Sequence, residues 1–148
     1  SRIAFAELHS GASSEQVAKF LSNLVDAVPY RVYGTLTNDS QIFIGRPYRQ
    51  VRIRHGIDHQ FLSPEDPWDI RQTASAKLVG ESGFRKPHYD DLEHLRSHFF
   101  EFFDTYNFTR RLKSLSGNTP YEFICKCWQS DPSAFREDPR GWRLDLKK

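Results

Sequence analysis

The sequence predicts an α/β domain with a partly parallel sheet. Three short runs rich in apolar and β-branched residues, at residues 2–8, 31–37 and 57–62, have the composition of strands. Two segments with helical periodicity separate them, at residues 14–28 and at residues 47–55. This alternation indicates parallel pairing, because parallel strands need a crossover connection that is usually a helix.

Local signals mark the ends of both helices. Ser13 and Gln16, three residues apart, form a capping box that starts the first helix, and Pro29 follows its end. Pro47 suits the first turn of the second helix, and Gly56 suits its C-cap. These signals favour two well-delimited helices between the strands.

The second half of the chain is predicted to be helical. A loop with two prolines, at residues 63–69, precedes a helix at residues 69–79. From Asp90 onward the apolar residues recur on one stripe of a long helix: Leu92, Leu95, Phe99, Phe102, Phe103 and Tyr106.

A last helix and a tail complete the expected organisation. Thr119, Pro120 and Glu122 combine a cap, a first-turn proline and a capping-box glutamate. Residues 131–148 are polar and contain prolines and a glycine, so we expect an irregular tail behind a domain at residues 1–130.

Composition narrows the class of protein. The chain has 148 residues, 38% of them hydrophobic, and a mean hydropathy of -0.66, which are typical of a soluble globular domain. No apolar run approaches the ~18 residues of a membrane span, and no signal-peptide pattern opens the chain. A net charge of +2 and a pI of 8.6 permit nucleic-acid binding without a strong basic footprint. Cys125 and Cys127 form no disulfide framework, so we expect a cytoplasmic protein.

One C-terminal pattern resembles a known family. Residues 106–113 are Tyr-Asn-Phe-Thr-Arg-Arg-Leu-Lys, and residues 119–126 are Thr-Pro-Tyr-Glu-Phe-Ile-Cys-Lys, with Leu115 between them and Trp128 after them. This pattern resembles the end of the integrase-type core of bacterial insertion-sequence transposases. The resemblance extends over residues 1–135.

Upstream segments carry the same resemblance. Residues 1–8 look like the family's third strand, residues 28–37 like its fourth and residues 55–57 like the start of its fifth. Pro67 and Trp68, with Gln72, look like the loop and helix start that precede the last catalytic residue.

The resemblance implies a ribonuclease H-like fold and DNA strand transfer by an Asp-Asp-Glu triad. Such a triad holds two Mg²⁺ or Mn²⁺ ions, which activate the attacking oxygen and stabilise the leaving oxygen. In this sequence Asn38 stands at the place of the second Asp and Ala74 at the place of the Glu. The first Asp would lie on a strand that precedes residue 1, so we expect a truncated core with no bound cofactor and no catalysis.

Asp39 is the one candidate substitute. The family order Asp-Asn has become Asn38-Asp39, and a local shift of register would bring the Asp39 carboxylate to the metal site. We disfavour this weak metal ligand, because neighbouring strand residues face opposite sides.

The missing strands have a consequence for the sheet. The incomplete core lacks the family's first two strands, which lie between the third and the fourth. Strands 2–8 and 31–37 are therefore expected to pair directly or to leave an open edge, which favours association.

Several basic and aromatic residues are candidate DNA contacts by the resemblance and by charge. They are Arg110, Arg111, Lys113, Lys126 and Trp68. For each of them, surface charge or packing is the alternative. A second basic group consists of Arg46, Arg49, Arg52 and Arg54, which could line a DNA-facing surface. Their spacing does not place all four on one helical face, so we favour the alternative of a solvated helix face. His94 and His98 have the spacing of some zinc ligands without a third ligand, and we interpret them as surface residues.

Three functions remain open at this point. The first is an integrase-type core that is inactive on its own. The second is a DNA-binding module without chemistry, whose binding would depend on salt. The third is an interaction protein that associates with itself or with an intact transposase. A nuclease that uses Asp39 is disfavoured.

Overall fold

A computed structural model describes residues 2–9, 11–62 and 92–143. The chain divides into two compact units. Of the described residues, the sheet unit contains 9, 11–25 and 32–62, and the helical unit contains 2–8, 26–31 and 92–143. The predicted helix at residues 69–79 lies outside the described residues.

The sheet unit is built on two parallel strands. Strand β1 spans Gly34–Thr37 and strand β2 spans Asp58–Phe61, with Gly34 opposite Asp58 and Thr37 opposite Phe61. The connection between them carries helix α2, Gln41–Ile44, and helix α3, Arg46–His55. The parallel pairing confirms the expectation drawn from the alternation of elements. Helix α2, a single turn, was not predicted.

Helices α1 and α3 pack on this pair. Helix α1 spans Ser14–Ala27, and both bonds of its predicted capping box form, between the backbone and side chains of Ser13 and Gln16 at 3.0 and 3.2 Å. Gly56 ends α3 in the left-handed conformation with φ of 64°, which glycine adopts without steric cost. The core consists of Leu21, Tyr48 and Ile57, with Val17, Leu24, Val25, Val32, Phe43 and Val51 packed against it.

The helical unit contains helix α4, Leu92–Phe108, and helix α5, Pro120–Ser130. Phe99 and Phe103 of the predicted apolar stripe are buried, and Ile124 of α5 is 1% exposed. The capping box of α5 forms as predicted, with Thr119 and Glu122 bonded in both directions at 3.1 and 3.3 Å. Short 3-10 turns lie at Lys113–Leu115, Pro132–Ala134 and Pro139–Gly141.

The predicted strand at residues 2–8 is wrong. These residues form no strand, and the sheet of the described residues has two strands only. Ala4 instead bonds the side-chain amide of Asn107, which accepts from the Ala4 N–H and donates to the Ala4 carbonyl, both at 2.7 Å. One amide side chain thus supplies the donor and acceptor that a neighbouring strand would have offered.

The predicted strand at residues 31–37 begins three residues late. Tyr30 forms an isolated antiparallel bridge with Phe135, and the Arg31 N–H donates to the Ala134 carbonyl at 2.9 Å. The start of the segment therefore pairs with the residues after α5, and only Gly34–Thr37 pairs with β2.

The residues after Asp131 contain no α-helix or strand up to Arg143, but they pack closely on the end of α1. The Arg136 guanidinium donates to the carbonyls of Asp26 and Val28, at 3.1 and 2.7 Å, and the Trp142 indole donates to that of Ala27 at 2.7 Å. These bonds satisfy carbonyls that a helix end leaves without partners. Among the described residues, no helix is long and apolar enough to cross a membrane.

Candidate functional site

The carboxyl end of β1 carries Asn38, which the resemblance places at the second triad position, and Asp39, the weak metal candidate. Asn38 and Asp39 follow the strand directly, and both side chains are exposed. The Asn38 side-chain oxygen accepts the Ser40 N–H at 3.0 Å, which makes it part of the turn. An amide oxygen that already stabilises a turn is a poor substitute for a catalytic carboxylate, since it has no charge and one acceptor site is taken.

Thr37 connects this turn to the second strand. Its hydroxyl donates to the Asn38 carbonyl at 2.8 Å and lies 2.7 Å from Nε2 of His59. A hydroxyl has one hydrogen to donate, so with Asn38 as its acceptor the His59 ring is the donor of the second bond. This network assigns the ring proton to Nε2.

His59 was not identified from the sequence. Its ring packs edge-on against Tyr48, with centroids 5.4 Å apart, and lies 4.6 Å from the ring of Phe61. Burial, and then the positive charge of Arg52, lower the pKa of His59 below its ordinary value of 6.5. The lowered pKa favours the neutral ring at physiological pH, and the bond to Thr37 needs only that Nε2 carries a proton.

The donor set at this edge, taken over the described residues, is small. It offers the Asp39 carboxylate, the Asn38 amide oxygen and a neutral histidine whose Nε2 is engaged with Thr37. Over the residues that the structure describes, no three His, Cys, Asp or Glu side chains come together as a metal-binding group. Ala74, the other position that the resemblance assigns to the triad, and Trp68 lie outside these residues.

In the helical unit, the basic candidates differ in what they contact. Arg111 forms two parallel bonds to the Glu122 carboxylate, both 3.2 Å, and a third to the Gly117 carbonyl at 3.0 Å. Because Glu122 also caps α5, the Arg111 side chain holds the turn before that helix. The pair is exposed, so its contribution to stability is only about 0–1 kcal/mol.

The remaining basic candidates differ from Arg111 in that their side chains hold no turn among the residues described. Lys113 lies on a 3-10 turn and Lys126 on α5, and both are exposed. Arg110 is half-buried just after α4. In the described part of the chain, no hydrogen bond or ion pair involves the side chain of any of these three.

Another group of polar residues joins α5 to the tail. The Arg140 guanidinium forms three bonds to the Asp138 carboxylate, at 2.6, 2.9 and 3.0 Å, and lies 4.5 Å from the centre of the Trp128 ring. The Tyr121 hydroxyl donates to the Arg140 carbonyl at 2.6 Å. Burial raises the pKa of the Cys125 thiol, so this cysteine is protonated and is a poor nucleophile.

The comparisons with known proteins concern the fold. No protein-family model matches the sequence. No curated protein matches it either. Among solved structures, the chain is similar to the catalytic core domain of BIV integrase, with a TM-score of 0.65 and 16% sequence identity over 86% of this chain and 80% of that one. The fold is thus a mixed helix and strand arrangement with a small parallel sheet, similar to an integrase core domain.

Proposed function

We propose that this chain is an integrase-type core of the insertion-sequence transposase class that binds DNA without cutting or joining it. The observation that carries the proposal is the likeness of the fold to an integrase catalytic core over 86% of the chain. The pattern at residues 106–113 and 119–126, which the fold places at the end of α4 and the start of α5, supports the transposase class. In this proposal the fold is an incomplete ribonuclease H-like core.

In this proposal the side chains at the assigned triad positions do not support catalysis. Phosphoryl transfer with two Mg²⁺ or Mn²⁺ ions needs several carboxylates to hold the ions. Asn38 is neutral and its oxygen accepts the Ser40 N–H, and Ala74 has no ligand atom. Asp39 alone does not fit two divalent ions, so we derive no metal-dependent step.

DNA binding is assigned to basic side chains that the fold leaves available. Arg110, Lys113 and Lys126 would contact phosphates, whereas Arg111 would act indirectly by holding the turn before α5. Phosphate contacts of this kind carry no sequence information. Trp68 is retained as a further contact on the resemblance alone.

A binding measurement tests this assignment. Fluorescence anisotropy with a labelled duplex of arbitrary sequence should show an affinity that falls steeply between about 50 and 200 mM salt. In the K113Q/K126Q variant the negative slope of log K against log salt should become shallower by about 0.9 for each lost phosphate contact. The control K19Q/R96Q removes the same charge from exposed positions on α1 and α4 and should keep most of the slope. Absence of salt-dependent binding by the unaltered chain would refute the proposal.

A second measurement tests the absence of chemistry. Calorimetric titration of the chain with Mn²⁺ should give no saturable binding, and a strand-transfer assay should give no product. Saturable binding that disappears in Asp39→Ala would show that Asp39 has taken over a metal site, and the proposal of an inactive core would then fall.

The sheet favours a second candidate, an interaction protein. With only β1 and β2 paired among the described residues, the sheet presents strand edges with backbone groups that another chain can bond. The partner would be a second copy or an intact transposase of the same fold. Light scattering of the chain, alone and mixed with such a transposase, tests this candidate, and strictly monomeric behaviour in both samples would exclude it.

A further inference from the structure

Helix α3 is strongly basic. Its ten residues include four arginines and a histidine and no acidic residue. Arg46, Arg49 and Arg54 are exposed, and within residues 2–9, 11–62 and 92–143 none of the three guanidinium groups forms a hydrogen bond or ion pair. Arg52 is different, because it is half-buried and donates to the Ile57 carbonyl at 3.2 Å.

The three exposed arginines share one side of the helix. At 3.6 residues per turn they fall within an arc of about 140°, and the centre of that arc is opposite Tyr48 and Val51, which pack into the core. Along the axis they span about 12 Å. The sequence interpretation that the four arginines do not all lie on one side is therefore right. Three of them share a side, and Arg52 lies outside it.

This charge pattern is unfavourable for the helix on its own. Arg46 and Arg49 lie in the first turn, near the positive end of the helix dipole, with no acidic residue there and no side-chain cap at Gly45. Arginines three residues apart also repel each other. A polyanion bound along this side would remove both unfavourable terms.

The composition of this side favours nucleic acid over an acidic protein. Protein interfaces are depleted of charge at their centres, whereas interfaces with nucleic acid are strongly positive. Ile53, 66% exposed, is the one large apolar residue among the three arginines. The guanidinium fork matches phosphate geometry. Each strand of a duplex carries one phosphate for roughly every 3.4 Å of duplex axis, so about 12 Å of helix aligned with that axis covers three phosphates.

We propose that Arg46, Arg49 and Arg54 form a second DNA-binding surface on α3, which contacts the phosphate backbone of duplex DNA. This inference rests on the proposed function and adds to it a surface in the sheet unit. The contacts are with phosphates, so binding at this surface is independent of sequence.

The test uses the full chain and the same labelled duplex. In R46Q/R49Q/R54Q the negative slope of log K against log salt should become shallower by about 2.7, which is about 0.9 for each lost contact. The charge-matched control K19Q/R96Q/R143Q alters three exposed residues elsewhere. Its salt slope should change by less than half as much as that of the α3 variant. Glutamine is a good helix former, and the α3 variant should melt at the same temperature as the unaltered chain or slightly higher, because the repulsion between arginines is removed.

The outcomes separate the two proposals. Failure of the unaltered chain to bind DNA would refute the proposed function. DNA binding that has the same salt slope in the α3 variant as in the unaltered chain would overturn this inference and leave the proposed function standing. Binding of polyglutamate as tightly as the duplex, lost in the α3 variant, would also overturn it, since the surface would then recognise acidic protein.

Discussion

Asn107 offers the sharpest test of how the helical unit holds residues 2–8. Its side chain is fully buried and makes two bonds of 2.7 Å to the backbone of Ala4. Asn107→Leu keeps the branched shape of the side chain, with methyl groups larger than the amide atoms, and removes both bonds. Each neutral hydrogen bond contributes about 1 kcal/mol net, and each orphaned backbone group costs about 1 kcal/mol or more. Because Ala4 is half-buried and water reaches it in part, we expect a loss of about 3 kcal/mol in the free energy of unfolding.

Urea denaturation measures the total, and hydrogen exchange measures the local effect. About 3 kcal/mol corresponds to a roughly hundredfold faster exchange of the Ala4 amide, since 1.4 kcal/mol is tenfold. An unchanged exchange rate of the Ala4 amide in Asn107→Leu would refute the assignment.

A second variant at this position gives a pH signature. In Asn107→Asp the carboxylate still accepts from the Ala4 N–H but has no hydrogen for the Ala4 carbonyl. Burial raises the pKa of such a carboxyl above its unfolded value of about 3.9. Its destabilising effect is therefore full above the folded pKa and shrinks as the pH falls toward the unfolded pKa. A difference from the unaltered chain that does not change with pH would contradict this role.

Three further changes test other parts of the fold. Gly45→Ala should lower the free energy of unfolding by about 1–3 kcal/mol, because the added Cβ would lie 2.8 Å from the Cβ of Ser14. Urea denaturation of the S14G/G45A double variant should show that the loss is recovered. No recovery would mean that the strain arises elsewhere. Glu122→Ala should cost about 1–2 kcal/mol and Arg111→Ala less than about 1 kcal/mol, because only Glu122 also caps α5; equal losses would argue against the cap. The pKa of His59 is lowered by burial and a neighbouring arginine, so the ring should titrate below 6.5 by NMR. The free energy of unfolding should therefore fall as the pH drops below 6.5, and His59→Asn should lack this contribution to the fall. A ring that titrates at or above 6.5 would contradict this account.

Helix ends could be predicted from the sequence because their chemistry is local. The capping boxes at Ser13 and Thr119 each join residues three apart, and both form as expected. Gly56 ends α3 for the same kind of reason, since the left-handed conformation depends on that residue alone.

Strand identity was harder to predict because it depends on a distant partner. Residues 2–8 have strand composition, but the backbone of Ala4 bonds a side chain 103 residues away. The contact between Thr37 and His59 likewise follows from the register of two parallel strands. A histidine inside a short predicted strand was the available signal, but neither its neighbour nor its burial can be derived without that register.

In the proposed function, the uncharged side chains at the assigned triad positions also bear on DNA binding. Clustered carboxylates repel phosphates, and in the resembling family the divalent ions offset that charge. Of the three residues that the resemblance brings to this site, Asn38 is neutral, Ala74 is apolar and Asp39 is acidic. In the proposed function, a duplex that approaches this edge would therefore meet less repulsion than at an intact triad. On that proposal, the same neutral residues that leave no metal site would also let DNA bind without a metal ion.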